Sequence, residues 1–482
     1  MIYDTLNQYL EPVSQWIAIL FFLGLITLLV IVAVLYVLDI RQKKHTVLRN
    51  FPVIGRFRYF FEHLGEFFRQ YFFAMDREEM PFNRAMRAWV YRASKQIDTT
   101  IAFGSTDNIH ESGKVLFKNS VFPVDKDQAK PISAITFGPH CEQPYTTNSI
   151  FNISAMSYGA LSKVAVEALS RGAKEAGCWM NTGEGGVSSY HLEGGTDLIA
   201  QIGTAKYGYR DENGKLSDEK LRKVAVYPQI KMFELKLSQG AKPGKGGILP
   251  AAKVSEEISH IRGIPQGQSS ISPCRHEEVK SVTDLLDLVD HIRAVTGKPV
   301  GIKAVLGQTE WLDDLFQAIS ERGTETGPDF FTLDGGDGGT AAAPQSLMDY
   351  VGLPLQVSLP ILMEKLDQFG LRERIKVIAS GKLITPSKVA WALAMGADAV
   401  NSARGFMFSL GCIQAMQCNK NTCPTGITTH DQNLQRGLVV EDKYLRVANY
   451  QQEVVHAVEQ IAHSCGVVEP RKLSESHVFV CE

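Results

Sequence analysis

Three cysteines, Cys412, Cys418 and Cys423, stand with five and four residues between them, and Pro424 follows the last. Thiols this close suit a metal centre in a reducing compartment. Zinc would want a fourth ligand and usually a C-x2-C knuckle; neither occurs, although His430 is near enough to be weighed. The spacing better suits an iron–sulfur cluster, and three ligands favour a three-iron form. Unligated core cysteines are the remaining alternative. Cys141, Cys178, Cys274, Cys465 and Cys481 are isolated and read as structural.

A second constellation is cationic. Lys236, Lys242 and Lys245 are interleaved with glycines after the apolar, strand-like Met232–Leu235. Three ammonium groups at a strand end are costly to bury alone, so they suit an acidic ligand; a solvated basic loop is the alternative. Lys303, inside the otherwise apolar Val300–Val305, needs an anion nearby to offset its burial. Unusual residues also follow other apolar runs. Ser154-Ala155-Met156-Ser157-Tyr158-Gly159 follows Ile153, and Asn181-Thr182-Gly183-Glu184-Gly185-Gly186 follows Met180. Asp334-Gly335-Gly336-Asp337-Gly338-Gly339-Thr340 follows Leu333, Ser380-Gly381-Lys382 follows Ala379, and Arg404-Gly405 closes the last run. Each glycine pair alone is more often only a turn. Together they let main-chain N–H groups approach an anion, and a nucleotide-like phosphate is implied.

The elements that must carry these loops alternate. Ser149–Met156 reads as a strand and Leu161–Ala176 as a helix ending at Gly177. Ser281–Gly297 leads to Pro299–Val305, Leu315–Arg322 to Asp329–Leu333, Gly370–Arg374 to Lys376–Ala379, and Pro386–Met395 to Ala397–Ser402. This repetition predicts an α/β fold, a (β/α)8 TIM barrel, whose active site lies at the C-terminal strand ends. An open doubly wound sheet is the alternative, but no G-x-G-x-x-G follows a first strand. The 482 residues hold 44% apolar and 21% charged residues with a formal charge of −2, which excludes a disordered chain and gives no field to draw nucleic acid.

Trp16–Leu38 carries no charge, long enough to cross a bilayer as a helix. Arg41, Lys43, Lys44 and Arg49 follow it, so the positive-inside rule predicts a single-pass protein of the inner (plasma) membrane with the remainder cytoplasmic. A buried core helix is the alternative. Residues 50–100 alternate aromatic and basic, as in Phe57-Arg58-Tyr59-Phe60-Phe61 and Phe67-Phe68-Arg69-Gln70-Tyr71-Phe72-Phe73. They suit either the bilayer interface or a helical collar on the main domain, and no clean period of 3.6 separates the two.

These motifs resemble the FMN-binding synthase domain of glutamate synthase and its shorter, membrane-anchored relatives. Met156-Ser157-Tyr158-Gly159-Ala160, Asn181 to Gly186, Gln239-Gly240-Ala241-Lys242-Pro243-Gly244, Asp337-Gly338-Gly339-Thr340 and the C-x5-C-x4-C-P segment match it in order. The resemblance covers roughly residues 130 to 435. It implies FMN with its phosphate near Gly338, Gly339, Gly381 and Gly405; Met156, Ser157, Asn181, Lys303, Thr340 and Arg404 complete the expected cofactor set. It implies oxo-acid contacts at Gln239, Lys242 and Arg262, with Lys236 beside them and Glu184 on the ammonia side. Cys412, Cys418 and Cys423 would hold a [3Fe-4S] cluster. The expected organisation is an anchor over 1–45, a helical membrane-proximal region over 46–129, the barrel with its iron–sulfur segment over 130–435, and a helical extension over 436–482.

Departures accompany the match. Lys245 stands where the family usually has Glu, Ile248 where it has Gln, and Cys274-Arg275 where it has Pro-Pro. Residue 2 is Ile, so the ammonia source is expected outside the chain. The leading expectation is an oxidoreductase acting on CH–NH2 groups that forms glutamate, or a related amino acid, from an oxo acid. It would have an electron-donor partner and a possible homo-oligomeric state. Alternatives are an electron-transfer subunit serving quinone or a partner, and a non-redox FMN barrel, against which the cysteine trio argues.

Overall fold

A computed structural model describes residues 2–481. The chain divides into two compact units, up to Ala85 and from Met86 onward. In the first, helix α1 (Ile2–Arg41) is the one described helix that is long and apolar enough to cross a membrane, by length and composition. Thr46–Asn50 and α2 (Gly55–Phe68) follow, and α2 runs into a π-helical turn over Arg69–Phe73. The expected helical region over 46–129 is helical only as far as Ser94. Beyond it the chain is turn-rich, and Val115–Phe117 forms a strand antiparallel to Val478–Val480 near the C-terminus. Gly104, Gly113 and Pro123, with the polar run Ser105-Thr106-Asp107-Asn108, interrupt any apolar stripe that a helix could bury there.

The second unit is built on a closed barrel of eight parallel strands. These are β1 (Phe151–Ile153), β2 (Met180–Asn181), β3 (Leu198–Ile202), β4 (Ile230–Lys236), β5 (Val300–Ala304), β6 (Phe330–Asp334), β7 (Lys376–Ser380) and β8 (Ala399–Ser402), with β8 pairing back on β1. Every residue of β3, β5 and β6 is buried, as expected of parallel strands sheathed by helices on one face and filled on the other. Between them run α3 (Lys163–Ala176), α4 (Val282–Thr296), α5 (Glu310–Arg322), α6 (Leu355–Gln368) and α7 (Pro386–Ala394). Ser162 and Ser281 cap α3 and α4 by accepting from Ala165 N and Asp284 N. Gly370–Arg374 is a turn, not the helix expected there; the helix before β7 is α6, which begins after Pro354 and carries Pro360 inside it.

The N-terminal end of the barrel is plugged by the hairpin Ile135–Phe137/Tyr145–Thr147. Phe137 meets Trp179 and Phe330 edge-on, at ring separations of 5.8 and 5.6 Å. The extension after the barrel is α8 (Val440–Ser464), which lies so close to α3 that a Cβ on Gly172 would stand 2.5 Å from Val447. The opposite end, where β1–β8 finish, is left for the polar loops.

Candidate functional site

Inside the barrel one carboxylate organises three strands. Glu234, fully buried on β4, accepts from Asn181 Nδ2 at 2.8 Å, Gln201 Nε2 at 2.6 Å and Thr332 Oγ1 at 2.5 Å. Asn181 in turn holds the amide of Gly183 with its Oδ1, at 3.0 Å, and so fixes the start of the loop that carries Glu184. One layer up, Lys303 on β5 lies 3.5 Å from Asp334 at the end of β6. Burial opposes its charge, but Asp334 and Glu234 more than offset this and hold the ammonium above its ordinary range. A protein carboxylate therefore already supplies the anion that Lys303 needs.

At the mouth, the loops after β2, β4 and β6 interlock. Glu184 Oε2 is 2.9 Å from Lys236 Nζ, which donates to Gln239 Oε1, while Gln239 Nε2 donates to Thr340 Oγ1 at 2.9 Å. Burial alone would raise the Glu184 carboxyl. Lys236, followed by Lys242 and Arg262, reverses that and keeps it below the usual carboxylate range. Lys242 is buried, and desolvation, helped by the charges of Lys236 and Lys245 against Glu184, brings its ammonium down to about 8. Lys245 itself is exposed at the rim.

Arg262 closes the far side. Its Nη2 donates to the Tyr158 carbonyl at 3.1 Å and reaches Ser157 Oγ at 3.4 Å, while its buried Nε has no partner among the described residues. Burial lowers its affinity for the proton, and the guanidinium lies over the Tyr207 ring. An unsatisfied buried guanidinium N–H that shares Glu184 with Lys236 and Lys242 is what an anion would complete. The Met156 carbonyl accepts from His191 Nε2 at 3.1 Å; burial keeps that imidazole neutral, at about 4.

The glycine loops form a wall of backbone. Gly240 N donates to Asp334 Oδ2 at 2.9 Å, and a Cβ on Gly240 would stand 2.4 Å from Gly335 O and 2.7 Å from Gly338 Cα. Gly381, at φ +143°, sits over Gly335, a conformation that favours glycine. Gly338 uses its own amide within the turn, on Gly335 O at 2.8 Å. Gly405 stands apart from this wall, since the direction of its missing Cβ is filled by the Tyr450 hydroxyl.

Arg404 joins this wall to the cysteine segment. Its Nη2 donates to Thr340 O at 2.5 Å, and its Nη1 faces Met407 Sδ at 3.4 Å and Cys418 Sγ at 3.6 Å. Burial opposes its charge, and Cys418, Cys412 and Cys423 together raise it above the ordinary arginine range. Cys412 is pushed up to about 11 by its burial, whereas hydrogen bonds from Thr425 and Thr428 outweigh burial at Cys423 and lower it. Among the described residues no three His, Cys, Asp or Glu side chains converge tightly enough for a single metal ion. His430 is turned away, its Nε2 donating to Gly159 O at 2.9 Å.

Glu234, Gln201 and Thr332 were not singled out by sequence, although a lone Glu within Met232–Leu235 is a signal of the same kind as Lys303. Lys253 was also missed: buried, it donates to Cys418 O at 2.7 Å and Ala160 O at 3.1 Å, and burial brings it to about 8.

A closed parallel barrel with a buried, cation-rich mouth defines an α/β-barrel enzyme. Residues 94–468 match the model of the conserved region in glutamate synthase, so the chain belongs to the glutamate synthase family, oxidoreductases that act on CH–NH2 groups. It is 42% identical over 500 residues to the glutamate synthase large subunit-like protein YerD of Bacillus subtilis, covering 95% of this chain and 94% of that one. It is 33% identical to the archaeal-type glutamate synthase [NADPH] of Thermotoga maritima, over 65% of this chain and 59% of the relative's length. A mutant flavocytochrome b2 with pyruvate bound aligns at 15% identity and a TM-score of 0.47, over 82% of each chain.

Proposed function

We propose that this chain is a membrane-tethered, FMN- and iron–sulfur-dependent oxidoreductase of the glutamate synthase type, which reductively aminates 2-oxoglutarate or a related oxo acid with ammonia from outside the chain. The observation that carries this reading is the continuous run of contacts Glu184–Lys236–Gln239–Thr340–Arg404–Cys418, which links a charged ligand mouth to the cysteine segment.

The residues fit both cofactors. Gly240, Gly335, Gly338 and Gly381 make a wall that admits no side chain, and Arg404, beside Gly339, brings positive charge to it, as a flavin phosphate requires, while Lys303 stays paired with Asp334 below it. Three thiols disposed around Arg404 and Lys253 suit an anionic cluster better than a single ion. When bound, the flavin would supply hydride and the cluster single-electron transfer.

The chain's own groups then divide the work. Lys242 and the free Nε of Arg262 hold the carboxylates, Gln239 orients the oxo group's neighbourhood, and Glu184, kept ionised by Lys236, retains ammonium, which loses its proton to solvent before the freed lone pair attacks the oxo carbon. Electrons come from a partner protein or quinone, and α1 sets the protein on the cytoplasmic face of the membrane. Anaerobic reduction of the purified protein, followed by oxo acids with ammonia, tests the reading: 2-oxoglutarate or a close analogue should reoxidise the flavin only when ammonia is present. Reoxidation by quinone alone, with no oxo acid active, would replace it with the electron-transfer reading.

A further inference from the structure

Resting on the reading of α1 as a membrane span, we infer that α2 and the π-turn after it lie flat in the interface of the same bilayer, as a second lipid contact. Once the limits of α2 are known, a stripe emerges that the raw alternation hides. Phe57, Phe60, Phe61, Leu64 and Phe68 recur at helical spacing, and Tyr71 and Phe72 prolong it. Among the described residues of this unit none covers the face: Phe57, Phe60, Phe61, Phe72 and Phe73 keep 58–74% of their surface exposed. Isolated exposed apolar residues are ordinary, but a contiguous aromatic stripe marks an interaction surface.

The other side of α2 is occupied. Tyr59 packs edge-on against His45 at 5.1 Å, and Arg56 Nη2 pairs with Asp39 Oδ1 at 2.6 Å, while Asp39 Oδ2 accepts from Val53 N at 2.9 Å. Asp39 is buried in the last turns of α1, so this pair ties the start of α2 to the end of the span. The aromatic face is thereby held where the apolar run of α1 gives way to Arg41, Lys43, Lys44 and Arg49, the level at which lipid headgroups lie. Arg58 and Arg69 add cations beside the stripe, and the arrangement has the make-up of an interfacial helix, with Phe inserted below and Arg at phosphate level. The occupant is therefore the acyl–headgroup boundary of an anionic bilayer.

Tryptophan quenching in vesicles tests this on the full chain. Trp16 is replaced by Phe, one further Trp is introduced by Phe61→Trp or Phe72→Trp, and the protein is reconstituted into anionic phospholipid brominated just below the headgroup, its emission read as the difference from the Trp16→Phe parent, which keeps Trp89, Trp179, Trp311 and Trp391. The added emission should be strongly quenched, while Glu62→Trp, on the opposite face, should keep its emission. If Phe61→Trp and Phe72→Trp are unquenched, yet a tryptophan placed mid-span by Leu28→Trp in the same Trp16→Phe background is quenched by deeply brominated lipid, the span stands and the interfacial helix is overturned. If the mid-span tryptophan is not quenched either, the span reading fails and this inference falls with it.

Discussion

Lys242 offers the sharpest test of the ligand mouth. Its fall from 10.5 to about 8 means that the empty site disfavours the ammonium by about 3 kcal/mol. Because the folded value lies below the unfolded one, that cost is present in full below pH 8 and is relieved as the pH rises from 8 toward 10.5. The ligand-free protein should therefore gain stability across this window. A bound carboxylate restores the charge, so binding above pH 8 must take up a proton, and affinity for 2-oxoglutarate should fall about tenfold per pH unit there while staying flat below it. Calorimetry of the oxidised protein in two buffers of different ionisation enthalpy counts that proton. Lys242→Met should lose about 1.5–3 kcal/mol of binding, roughly tenfold to a hundredfold, together with the pH dependence. Lys245→Glu, which turns a nearby like charge into an opposite one, should move the fall to higher pH. Affinity that is flat from about pH 7 to 10, or a slope that survives in Lys242→Met, would refute this assignment.

Replacing Cys412, Cys418 or Cys423 with Ser should remove the iron–sulfur absorbance with flavin retained; stoichiometric zinc without iron in anaerobically prepared protein would defeat the cluster. Glu234→Gln sets an amide N–H against the donors of Asn181 and Gln201 and should cost about 2–4 kcal/mol, read as a lower denaturant midpoint at unchanged slope. An unmoved midpoint would show that the hub contributes little. Gly240→Ala must force Gly335 and Gly338 apart and should release flavin without changing the far-ultraviolet circular dichroism; full flavin content would show that these loops do not grip it. A reporter joined to the C-terminus should be active only in the cytoplasm, and activity on the other side would reverse the orientation of α1.

What could be read in the sequence followed the strength of local signals. The barrel was legible because apolar runs ending in Gly-rich loops alternate with helical stretches that stop at glycine, as Gly177 and Gly297 do at the ends of α3 and α4. Lys303 was legible because a charge in an apolar run demands a partner; which partner, Asp334 on the next strand, depends on register that only the closed sheet supplies. Glu234 escaped because its three donors come from β2, β3 and β6, up to 98 residues away in sequence. Lys253 escaped for a like reason: nothing beside it in the chain forecasts a contact with Cys418, 165 residues on. The aromatic stripe of α2 was hidden because Arg and Glu are scattered among the phenylalanines, and its period appears only when the helix is known to begin at Gly55.

The charges at the mouth bear on the ligand's own charge. Lys236, Lys242 and Arg262 act on a single carboxylate, Glu184, a surplus of two positive groups at the site. Burial makes that surplus costly when the mouth is empty, as the lowering of both Lys242 and Arg262 records. A dianion removes the cost and a monoanion only half of it, so the site discriminates by charge before it discriminates by shape. Lys245, in place of the usual Glu, acts in the same direction from an exposed position, where water screens its side chain. It therefore shifts the balance at Lys242 without altering the set of groups that face the ligand, which is why the departure from the family pattern is compatible with an oxo dicarboxylate rather than evidence against one.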